Sequence, residues 1–150
     1  MGVLPDNAGQ HQKPTMKLQT TLIGPAPRIA VDHAGQGPLL VFLHGIGGQR
    51  TNWHAQLQAL ADRFHVVAWD ARGYGASDDY DGPLAFGDFS ADLVRVLDHF
   101  GAEAAHLVGL SMGGMIAQDF YRRLGFTARG EPFEEVNIPH VEMFTVLPKT

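Results

Sequence analysis

Ala104-Ala105-His106-Leu107-Val108, followed by Gly109-Leu110-Ser111-Met112-Gly113-Gly114, is the stretch that decides how this chain folds. An apolar run enters, small residues turn the chain, and Met115, Ile116, Phe120 and Leu124 then recur at helical spacing. The order is strand, sharp turn, helix, with Ser111 at the apex. Such a turn strains the backbone at the serine, and Gly109 and Gly113 are needed because side chains there would collide with the neighbouring strand and helix. The strain lifts the hydroxyl clear of the sheet at the start of a helix. There, unbonded N–H groups and the positive end of the helix dipole favour a developing negative charge.

Working outward, the composition permits a globular domain and excludes several partners. Hydrophobic content of 45% and charged content of 18% over 150 residues suit one compact core. A net charge of −5 offers no basic footprint for nucleic acid or an anionic membrane. Cysteine is absent, so there are no disulfides and no thiolate metal sites. No apolar run is long enough to span a bilayer. Residues Met1 to Thr15 lack the basic-then-apolar order of a secretory signal and read as a disordered leader, with Met16 an alternative start. The expectation is a soluble, cytoplasmic protein that needs no cofactor or metal.

Taken in order, Lys17 to Ile23 reads as an edge strand and Arg28 to His33 as another. Leu39-Leu40-Val41-Phe42-Leu43 is apolar on both faces, hence a buried strand of a parallel sheet, and it ends in His44-Gly45-Ile46-Gly47-Gly48. Trp53, Leu57, Leu60 and Phe64 mark one face of a helix capped by Thr51 or Asn52. The strand His65 to Trp69 follows, then the loop Asp70-Ala71-Arg72-Gly73-Tyr74-Gly75-Ala76-Ser77. Phe89, Leu93, Val96, Leu97 and Phe100 mark a second helix, with Asp88 near its start and Gly101 past its end. Strand and helix alternate through the serine turn, which implies an α/β fold with a mostly parallel sheet and helices on both faces.

Three loops, each following a buried strand, together resemble the first half of the α/β-hydrolase family over roughly residues 18–117: His44 to Gly48, Asp70 to Ser77, and the Ser111 turn. Gly-Leu-Ser-Met-Gly-Gly-Met-Ile-Ala-Gln is similar to the enol-lactonase and small-ester branch. The resemblance implies Ser111 as nucleophile, backbone N–H groups of Met112 and Ile46 as oxyanion hole, and His44 as a prop for the oxyanion loop. It implies Asp70 and Arg72 as a structural pair pinning the loop after its strand, against the plainer alternative of Arg72 as a solvated surface residue. Serine at 111 also argues against the aspartate-nucleophile dehalogenases and epoxide hydrolases of the same fold.

A serine hydroxyl needs a histidine to take its proton and a carboxylate to orient that histidine, and in this family both come later in the chain. The one downstream histidine is His140, a candidate base set against a surface histidine beside Pro139; no Asp or Glu stands in the acid's position. Residues 119–143 instead resemble the C-terminal end of GCN5-related N-acetyltransferases, which implies Tyr121 as proton donor to a coenzyme A thiolate; a packing role is its alternative. The pyrophosphate loop of that family is missing.

The chain divides accordingly into a leader (1–15), a truncated hydrolase core (16–118) and an acetyltransferase-like tail (119–150). Either Phe126 to Ala128 or Val141 to Leu147 is expected to cover the open edge of the strand before the serine turn. Three functions follow: an impaired serine hydrolase of small esters or lactones, an N-acetyltransferase remnant, or a non-catalytic chain or subunit completed by another chain.

Overall fold

The computed structural model describes residues 14–124, 127–135 and 138–144, with side chains described through residue 124. The expected leader lies almost wholly outside the described residues.

β1 (Gln19–Ile23) and β2 (Ile29–Ala34) form an antiparallel hairpin, with Thr21 opposite Val31. β3 (Leu39–Leu43), β4 (His65–Trp69) and β5 (Ala105–Gly109) run parallel, and β2 pairs antiparallel with β4. The sheet order is β1-β2-β4-β3-β5, so β2 alone runs against the other strands. This is the expected α/β sheet, mixed at its β1–β2 margin and parallel where the serine turn sits.

Alternation along each strand feeds two cores. Leu39, Val41 and Leu43 of β3, with Val67 and Trp69 of β4, face the helices α2 (Phe86–His99) and α3 (Met112–Arg123). Leu40 and Phe42, with Val66 and Ala68, face Leu57 of α1 (His54–Leu60). An unbroken apolar strand is the consequence of having helices on both faces. The first helix opens with a 3-10 turn, Arg50–Trp53, whose cap is Gln49 rather than Thr51 or Asn52; Asn52 lies inside the turn and its Oδ1 accepts from Gln49 N–H (2.8 Å).

The buried face of α3 is Met112, Gly113, Ile116, Ala117 and Phe120. Met115, expected in that stripe, is 59% exposed: at 3.6 residues per turn it falls beside the buried face rather than on it.

The tail departs from expectation. β6 (Thr127–Glu135) pairs antiparallel with β7 (Ile138–Phe144) in a separate two-stranded sheet, Ala128 opposite Met143 and Glu135 opposite Ile138. Among the described residues neither β6 nor β7 pairs with β5; Phe126 and residues 145–147 of the expected segments lie outside the described residues. Pairing strands adjacent in sequence costs little loop-closure entropy. β5 is therefore an edge strand, and Val108 is 39% exposed. Among the described residues, no helix is long and apolar enough to cross a membrane.

Candidate active site

Ser111 sits between β5 and α3 with φ +52° and ψ −113°, the one non-glycine residue at positive φ among the described residues. Backbone in such a region costs about 1–3 kcal/mol and persists only when the surroundings fix it. They do so by close approach. A Cβ on Gly113 would strike the Leu43 carbonyl, with its carbon at 2.6 Å and His44 O at 2.9 Å; one on Gly109 would strike the Gly113 carbonyl. Leu110 N–H donates to Leu43 O (3.0 Å) and Gly113 N–H to Leu110 O (2.9 Å), tying the turn to the end of β3. Gly45 lies under the same turn, where a Cβ would meet Leu110 O at 3.1 Å and Ser111 Cβ at 3.3 Å.

The loop after β3 is a second tight turn. Gly48 N–H donates to Gly45 O (3.0 Å), and Gly47 at φ +77° occupies its third position, which leaves the Ile46 side chain 80% exposed over the site. His44 is 1% exposed and spends both ring nitrogens inside the protein. Ala71 N–H donates to Nε2 (3.0 Å), so Nδ1 carries the proton and donates to Gly45 O (2.8 Å). His44 thus joins the loops after β3 and β4 and has no lone pair left for Ser111.

Asp70 and Arg72 both pin the loop after β4, but not to each other as expected. Asp70 is fully buried and accepts from Arg50 N–H (2.6 Å), Arg50 Nη1 (2.6 Å) and Ala76 N–H (2.8 Å). Arg72 donates from Nε and Nη2 to Asp92 of α2 (2.7 Å each). With Ala71 buried between them, the two side chains leave the loop in different directions. Hydrogen bonds to Asp92 raise the Arg72 guanidinium, against burial. Arg72 is thus a bound strut rather than a solvated residue. Arg50 continues to buried Asp32 (Nε to Oδ1, 2.9 Å), which also accepts from Thr20 Oγ1 and His54 Nε2 (2.6 Å each). Burial works against the Asp32 charge, but the bonds from Thr20, His54 and Arg50 outweigh it and hold the carboxyl below the usual range.

Ser111, Met112 and Ile46 come together at a cleft of about 490 Å³. Tyr74, Tyr80, Leu84, Phe86, Phe89 and Met115 supply most of its apolar wall, and Tyr74 Oη donates to Met112 Sδ (3.8 Å). The sequence flagged neither this wall nor Arg50. Asp92 did leave a trace: it falls three residues after Phe89 and four before Val96, a carboxylate inside an apolar stripe. No described imidazole lines this cleft. Asp119 accepts from Ser90 Oγ and Arg123 Nε (2.6 Å each), turned toward α2. The His140 side chain lies outside the described residues. Tyr121 is half-buried against the core, and burial pushes its phenol up. Among the described residues no cluster of three ligating side chains could hold a metal.

The family model for the alpha/beta hydrolase fold matches residues 38–123. The 3-oxoadipate enol-lactonase 2 of Acinetobacter baylyi is 31% identical over 109 residues, covering 70% of this chain and 40% of that protein. Epoxide hydrolase B of Mycobacterium tuberculosis is 43% identical over 88 residues, covering 57% of this chain and 25% of that one. The crystal structure of E-2-(acetamidomethylene)succinate hydrolase superposes with TM-score 0.68 at 25% identity, over 73% of this chain and 41% of that one. The chain thus spans well under half the length of these relatives. The parallel strands, the serine turn and the family match over more than half of the residues agree: this chain belongs to the α/β-hydrolase family.

Proposed function

We propose that Ser111 is the nucleophile of a hydrolase acting on small esters or lactones. Its Oγ attacks the carbonyl carbon, the Met112 and Ile46 N–H groups receive the oxyanion, the alcohol leaves, and water releases the acyl group from the serine. The observation that carries this reading is the strained Ser111 backbone, held by Gly113 against the Leu43 carbonyl and opening onto an apolar cleft. A serine rather than a carboxylate at this position favours ester over epoxide chemistry.

The chain's own hydrolysis is strongly impaired in this reading, because no described base can take the Oγ proton. His44 is bonded at both nitrogens, and His54 is committed to Asp32. Without a general base the oxyanion donors and binding leave roughly 10³–10⁴-fold catalysis over water. The acetyltransferase reading of the tail gains no support: Tyr121 packs against the core, and the matched family ends at residue 123.

A fluorophosphonate probe tests the assignment. Slow labelling that Ser111→Ala abolishes and that added imidazole accelerates is the expected result. Labelling unaffected by Ser111→Ala would refute the nucleophile. Fast p-nitrophenyl acetate turnover without imidazole, lost in Ser111→Ala, would refute the impairment.

A further inference from the structure

Six of the eight described large apolar side chains that remain exposed gather around one place, Met16 and Leu22 lying apart at β1. Ile46, Leu84, Phe86 and Met115 line the Ser111 cleft, and Val108 and Leu110 lie on the strand and turn leading to it. The charges in the cleft point the same way. Arg72 is the cation among the described lining residues, and its side chain is 15% exposed with two donors already on Asp92. Asp79, exposed in the same wall, accepts from its neighbour Tyr80 N–H (3.0 Å) and has no ion pair among the described residues. An acyl chain seated here meets hydrocarbon and one uncompensated negative charge.

We propose that the Ser111 cleft takes neutral, apolar acyl esters and rejects those bearing a carboxylate on the acyl chain, with Asp79 as a specificity-determining residue. The proposal deepens the esterase reading and rests on it for the identity of the site. Two effects add: an anionic acyl tail loses hydration against Leu84, Phe86 and Met115, and it is repelled by Asp79. The first is insensitive to salt. The second weakens as the Debye length falls from ~30 Å at 0.01 M to ~8 Å at 0.15 M.

The test compares ethyl hexanoate with monoethyl adipate, esters of equal chain length that differ by one terminal carboxylate. Binding to the full chain carrying Ser111→Ala is followed by NMR of methyl-labelled methionine, with Met112 and Met115 assigned by their leucine variants. Ethyl hexanoate is expected to shift both resonances and to bind about tenfold tighter at low salt, which is ~1.4 kcal/mol. Adding Asp79→Asn should narrow that ratio about threefold and remove its salt dependence, leaving the apolar part.

Equal or tighter binding of the adipate ester overturns the proposal, as does absence of shifts with either ester. A ratio and salt slope untouched by Asp79→Asn overturns the role of Asp79. If ethyl hexanoate binds but the fluorophosphonate never labels Ser111, the esterase reading fails while the specificity of the cleft stands.

Discussion

β3 and β5 are neighbouring parallel strands, and the fold treats them differently. Every residue of β3 is buried, because β4 and β5 take its two edges and helices cover its two faces. β5 pairs on one side, and His106 and Val108 are exposed. Burial is a property of the neighbours as much as of the strand itself. The serine turn draws on both conditions: its strained residue leans on β3 through Gly113 while its strand offers an open edge.

The largest test of this contrast is truncation. Leu43→Ala removes a fully buried side chain and should cost about 2–5 kcal/mol, whereas Val108→Ala, already partly hydrated, should cost under ~1 kcal/mol. Urea denaturation midpoints at constant slope give both numbers. Comparable losses at the two positions would mean that β5 is covered in solution.

Next in size is the charged brace beneath the loops. Arg50→Met leaves Asp70 and Asp32 buried with fewer partners and should destabilise by about 3 kcal/mol, more than most surface substitutions do. Fluorophosphonate labelling of Ser111 should fall with it, because the loop after β4 also holds His44 through Ala71 N–H. A stable variant with unchanged labelling would remove the brace from the account of the site.

A smaller effect separates the strands kinetically. Amides of β3 should exchange slowly throughout, while β5 should alternate between slow amides facing β3 and fast ones facing its open edge. Uniform protection of Leu107 and Val108 would instead reveal a partner strand.

Much of this contrast was legible in the residues. The two-sided apolarity of Leu39–Leu43 and the four-three spacing of Trp53, Leu57 and Leu60 reflect local periodicity, which survives whatever else the chain does. The glycines at 109 and 113 were legible for the same reason: a sharp turn between strand and helix leaves no room for a Cβ. Partners joined across loops were not. Asp70 and Arg72 stand two apart in sequence and suggested a pair, yet each is drawn to a helix-borne or turn-borne partner about twenty residues away. The tail misled differently, since apolar residues in 127–128 and 141–144 announce strands without saying which strand they will join.

The smallest expected effect lies where the carboxyl end of β2 meets the amino end of β4. His33 of β2 and His65 of β4 approach at 3.3 Å and stack around Phe100, with ring centroids 5.0 and 4.8 Å away. Burial lowers both imidazoles from 6.5, and His33 is lowered further by the charges of His65 and His99. The unfolded chain therefore binds protons more readily than the folded one over this range. The stability these neutral rings contribute is complete above pH 6.5 and is lost as pH falls through their depressed values. Urea midpoints measured from pH 7.5 down to pH 5 should decline, and His65→Phe should flatten the slope while keeping an aromatic contact to Phe100. Because the cluster bridges β2 and β4, with β3 between it and β5, exchange at Leu107 and Val108, corrected for intrinsic rate, should follow pH more weakly than exchange at Val66 and Val67. Equal pH dependence at both places would show that interior β4 and the open edge at β5 unfold as one unit, so that burial in this sheet does not grade local stability.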